Sequence, residues 1–169
     1  APGGLWSMLS GNASGNPIKA NGPSSGGAGE GVVVGIVDSG IWPENPSFAD
    51  RDANGKLVFQ QIPGWHGKCV PGELFNASNC NKKLIAAQWY GAGFGGVAGV
   101  KALFPYELWS ARGAAGHGSH TAGTAAGNNG VNAFVNGNSL GYVSGMAPRA
   151  RIVLPCATLA SNAPGVLKT

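Results

Sequence analysis

Gly31-Val32-Val33-Val34-Gly35-Ile36-Val37-Asp38-Ser39-Gly40 is the stretch whose reading decides the fold. From Gly31 to Val37 it is apolar and β-branched almost without a break. Such a run suits a strand buried on both faces, and so a central strand of a parallel sheet. The run stops at Asp38-Ser39-Gly40, where turn residues begin. Open α/β sheets hold their ligand crevice beyond the carboxyl ends of the strands, so an ionisable side chain there is placed for chemistry. Asp38 is therefore a candidate functional residue.

Outward from this strand, Leu84-Ile85-Ala86-Ala87-Gln88-Trp89-Tyr90 reads as the next short strand. Ala150-Arg151-Ile152-Val153-Leu154 reads as another, broken by Pro155. Gly116 to Gly127 is a helix of small residues that ends at Asn128-Asn129-Gly130, and a loop follows it. Ile41 to Lys83 is turn-rich, and Gly91 to Gly99 holds too much glycine for regular structure. The fold class is α/β, an open parallel sheet with flanking helices. Residues 1–30 are mostly Gly, Ser, Asn, Pro and Ala around one apolar knot at Leu5, Trp6, Met8 and Leu9, and read as an N-terminal arm. Residues 31–169 form the domain, with the tail 154–169 showing no strong periodicity.

A chain of 169 residues can bury one real core. Charged side chains are 11% of it and hydrophobic ones 43%, which excludes a disordered polyelectrolyte. Its 11 basic and 7 acidic residues are scattered, apart from Lys82-Lys83, which argues against a nucleic-acid surface. No apolar run has the length of a membrane span, and the opening Ala1-Pro2 without an initiator methionine reads as a processed or excised end. Cys69 and Cys80 lie in a loop-like stretch, with Cys156 left over. An extracellular disulfide between the first two and three reduced thiols are both open on spacing alone. Asn12-Ala13-Ser14 and Asn76-Ala77-Ser78 are glycosylation sequons, which fit secretion.

His117 begins the small-residue helix. Small side chains let a helix press against its neighbours while a histidine in its first turn faces a cleft, a combination that suits proton transfer. Two other chemistries fit worse. His117 and His120 are spaced i,i+3 without the i,i+4 histidines and glutamate of a zinc helix, so a metal site is rejected. Asp38-Ser39-Gly40 has no second copy with which to make an aspartic dyad. Trp42, Trp65, Trp89 and Trp109 read as core and loop anchors.

Val34-Gly35-Ile36-Val37-Asp38-Ser39-Gly40-Ile41 resembles the aspartate motif of the subtilisin-like serine proteases, the subtilases. His117-Gly118-Ser119-His120-Thr121-Ala122-Gly123-Thr124 resembles their histidine motif, and Gly145-Met146-Ala147-Pro148 their Gly-x-Ala-Pro turn, in family order. Ile41 to Phe48, Trp65 to Cys69 and Asn79 to Ile85 are similar to the plant-type branch and its bacterial relatives. The likeness covers about residues 31 to 153. It implies a secreted serine endopeptidase acting on polypeptides, with His117 as general base, Asp38 orienting its imidazole, and His120 structural. It also implies a Cys69–Cys80 disulfide, worth about 2 to 3 kcal/mol for so small a loop. The chemistry calls for no cofactor; structural calcium is compatible with the family but maps to no residue here. The family's Gly-Thr-Ser-Met-Ala nucleophile motif, its oxyanion-hole asparagine and its Ser-x-Gly strand are not recognisable. Ser144 before Gly145-Met146-Ala147 mimics the nucleophile motif but lacks the preceding Gly-Thr. The expectation is thus the N-terminal part of a catalytic domain, inactive alone, whose partner is the remainder carrying the serine. The alternative is a non-catalytic fragment or pseudoprotease that binds peptide or a partner chain.

Overall fold

The apolar runs do pair into a parallel sheet, in an order that moves the centre away from the first of them. The computed structural model describes residues 28–157. The arm up to residue 27, the Asn12 sequon, the tail from 158 and the side chain of Cys156 lie outside the described residues. In chain order the strands are β1 (Val33–Gly35), β2 (Leu84–Tyr90), β3 (Val131–Val135), β4 (Asn138–Val143) and β5 (Arg151–Ala157). The α-helices are α1 (Gly96–Leu103) and α2 (His117–Ala126).

The sheet order is β1-β5-β2, all parallel, so β5 and not β1 is the middle strand. Val33, Val34 and Gly35 lie opposite Arg151, Ile152 and Val153. The expectation that residues 31–37 form a strand buried on both faces is corrected. Val34 and Ile36 pack on the core, whereas Val33 is 39% exposed and Val37 62%. Both faces are apolar, but among the described residues only one meets a packing partner. An apolar run conceals its period of two, so the sequence looks the same whether the second face is covered or bare.

Pro155 does not break its strand: it lies opposite Gln88 within the β2–β5 ladder. Pairing with β1 has ended at Val153, so the side of β5 beyond it is an edge, where a residue without an N–H is tolerated. The glycine-rich stretch also holds more structure than expected, with a short 3-10 turn over Ala92–Phe94 running into α1. The loop expected after α2 contains the β3–β4 hairpin, which turns through Asn136 and Gly137, both at positive φ. That dipeptide is the usual signal for a two-residue hairpin turn.

The core lies between the sheet and α2. Ile41, Phe48, Leu84, Ala87, Ile152 and Leu154 are fully buried, as are Ala122 and Ala126 on the inner face of the helix. The small helical side chains let α2 approach the sheet closely. Lys83, at the entrance to β2, is also fully buried. Its Nζ donates to the carbonyls of Pro148 and Ala150, each at 2.7 Å, and lies 4.6 Å from the centre of the Phe59 ring. The lysine thereby ties the start of β2 to the segment entering β5. The Cys69–Cys80 disulfide is formed, with Cα atoms 6.3 Å apart. Its loop docks on the sheet where Val70 N–H donates to the Ala87 carbonyl at 2.9 Å.

Candidate active site

The site stands where the chain leaving β1 meets the first turn of α2, and glycines make the meeting close. Gly40 has φ of +124°, and a Cβ there would sit 2.5 Å from the amide nitrogen of Gly113. A Cβ on Gly118 would collide with the Gly40 carbonyl. Two further contacts clasp the segment: Ile41 N–H donates to the Ala111 carbonyl at 2.9 Å, and Trp42 N–H to Ser119 Oγ at 2.7 Å. Arg112 backs the turn, donating to the Leu74 carbonyl and to both oxygens of Glu44 beneath the Trp42 ring.

This clasp brings the two candidates together. His117 Nδ1 lies 2.8 Å from Asp38 Oδ1 and 2.9 Å from Oδ2. The carboxylate also accepts from the Ser39 backbone N–H at 2.6 Å on Oδ1 and from Thr121 Oγ1 at 2.7 Å on Oδ2. Burial alone would raise the Asp38 pKa; the donors from Ser39, His117 and Thr121 outweigh it and hold the carboxyl below its ordinary range. An ionised carboxylate is acceptor-only, so the proton of the neutral imidazole belongs on Nδ1, leaving the Nε2 lone pair free. The Asp38 side chain is 11% exposed and that of His117 is 72% exposed. The pair is a shielded acid group with an open base.

His120, three residues on, is exposed and outside this network. Ser144 stands at the wrong end of α2. Gly145 N–H donates to the Gly127 carbonyl, while Met146 and Ala147 donate to the carbonyls of Thr124 and Ala125, so the Gly-x-Ala-Pro turn is built on the last turn of the helix. His117 begins a helix of 10 residues, which separates the two by about 15 Å along its axis. The tryptophans serve as anchors: Trp89 and Trp109 pack edge to face at 4.5 Å, and Trp65 Nε1 donates to the Ile85 carbonyl. Among the described residues no three His, Cys, Asp or Glu side chains gather as a metal site. Sequence reasoning missed Thr121 and Ser119. Thr121 was open to it through its i+4 spacing from His117, whereas the Ser119 contact with Trp42 crosses 77 residues and leaves no local signal.

The subtilase family model matches residues 29–166. The chain belongs to the subtilase family. Its similarity to plant members is broad. It is 41% identical over 135 residues to the subtilisin-like protease SBT2.5 of Arabidopsis thaliana, covering 78% of this chain and 16% of that protein. SBT1.2 of the same plant is 40% identical over 129 residues, and SBT3.15 is 45% identical over 125, covering 75% and 72% of this chain. This subtilase chain spans about 16% of the length of the curated relatives it matches. The α/β parallel sheet is therefore part of a subtilisin-like fold, and the plant-type likeness of the flanking motifs agrees with these relatives.

Proposed function

We propose that Asp38 and His117 are the orienting carboxylate and general base of a serine endopeptidase site whose nucleophile and oxyanion donors lie outside these 169 residues. The observation that carries this reading is the asymmetry of the pair: one imidazole nitrogen is engaged by a shielded, ionised carboxylate while the rest of the ring is open to solvent. His117 Nε2 takes the proton of an incoming serine hydroxyl as its oxygen attacks the peptide carbonyl. The tetrahedral intermediate collapses as the imidazolium returns that proton to the leaving amine, and water then releases the acyl-enzyme by the same exchange. Asp38 stays ionised throughout, fixing the tautomer and stabilising the imidazolium. No step needs a cofactor.

In this reading residues 31–169 are the N-terminal portion of the catalytic domain and residues 1–30 an arm preceding it. The remainder, carrying the serine, packs over the bare face of β1. The protein is secreted. The formed Cys69–Cys80 bridge supports an oxidising compartment, and the exposed Asn76 is an accessible glycan acceptor; the Asn12 sequon is a second acceptor by sequence alone. In the intact protease, His117→Ala is expected to lower kcat about 10⁶-fold and Asp38→Asn about 10⁴-fold, each with little change in KM. Peptide hydrolysis that survives both substitutions would contradict the assignment.

A further inference from the structure

Thr121 follows His117 by four residues on α2, on the same face of the helix. Its Oγ1 lies 2.7 Å from Asp38 Oδ2, 2.8 Å from the His117 carbonyl and 3.4 Å from the Gly118 carbonyl. A hydroxyl has one proton to give, and an ionised carboxylate is the strongest of these acceptors. The proton therefore goes to Asp38, with the bond back to the helix carbonyl as its alternative. The carboxylate is then held from three sides. Ser39 N–H fixes Oδ1, Thr121 fixes Oδ2, and Nδ1 of His117 sits almost equally far from both oxygens. With each oxygen already carrying one donor, the carboxylate cannot rotate about its own axis without losing a bond.

We infer that Thr121 is a positioning residue that acts through Asp38 on the imidazole of His117. The inference rests on the base-and-carboxylate reading of this site. The titratable group in contact with Asp38 among the described residues is His117; its other partners, Ser39 and Thr121, do not titrate, and His120 stands exposed further along α2. Without the Thr121 hydroxyl the carboxylate is less firmly aimed and keeps more of its negative charge. The looser aim lowers kcat. The extra charge holds a proton on the imidazole more tightly, so activity on the acid side is lost at higher pH.

The test is steady-state hydrolysis by the intact protease across pH, comparing Thr121→Ser with Thr121→Ala. Both variants remove the same methyl group and differ only in the hydroxyl, so any common packing loss cancels. The expected result is that serine keeps the wild-type acid limb and kcat, while alanine lowers kcat about 10-fold at unchanged KM and moves the acid limb upward. Superimposable profiles for the two variants would overturn the role of Thr121. His117→Ala measured alongside separates the two levels of the reading. If it keeps full activity, the base assignment fails and the Thr121 role with it; if it is inactive while serine and alanine behave alike, the Thr121 role alone fails.

Discussion

Gly118 carries no side chain because the Gly40 carbonyl occupies the place a Cβ would take. The same crowding holds Gly40 against Gly113, and together these contacts set how far Asp38 stands from α2. Gly118→Ala must therefore move the helix or the strand end, at a cost of about 1 to 3 kcal/mol in stability. The displacement also pulls His117 from Asp38, so hydrolysis should fall more than folding does. Denaturant melts and kcat measured on the same preparation check both parts. Asp38 and His117 were legible as candidates because their motifs are local, one ending an apolar run and the other opening a helix. Ser119 and Arg112 were not, since what they hold lies far away along the chain: Trp42 for the one, Glu44 and Leu74 for the other.

At the scale of elements, the join between β2 and β5 is made partly by a buried amine. Burial, helped by the nearby guanidiniums of Arg149 and Arg151, pulls Lys83 from its ordinary value down to about 7. In the unfolded chain the same lysine keeps a proton up to about 10.5. Between these limits the unfolded state binds more protons than the folded one, so this group makes stability rise with pH from about 7 to about 10.5. Below pH 7 its penalty is constant. Melting temperatures of the intact protease across that window should climb in the wild type, and the climb should flatten in Lys83→Met. Equal slopes would show that Lys83 keeps its proton in the fold. The parallel sheet and α2 were legible from apolar runs and a helical stripe of small residues. The order of the sheet was not, because pairing is a long-range choice that a strand's own residues do not encode. The β3–β4 hairpin did leave its mark in Asn136-Gly137, a two-residue turn signal.

For the molecule as a whole, the described residues leave a large share of apolar surface bare. Val32, Val33 and Val37 in and beside β1, and Phe134, Leu140 and Tyr142 on the hairpin, are all exposed. Isolated soluble domains rarely carry that much uncovered apolar surface. With 30 glycines the chain also loses much backbone entropy on folding. The 169-residue chain by itself is expected to melt without cooperativity and to bind a hydrophobic dye; a sharp cooperative transition with no dye binding would contradict this. On the proposed reading, Asp38 and His117 serve a serine lying elsewhere in the protease. The most direct measurement is labelling of the intact protease with a serine-directed fluorophosphonate, followed by peptide mass mapping. The expected label falls on a serine outside these 169 residues and is lost in His117→Ala. Label on Ser144, or labelling as fast in His117→Ala as in the wild type, would contradict it.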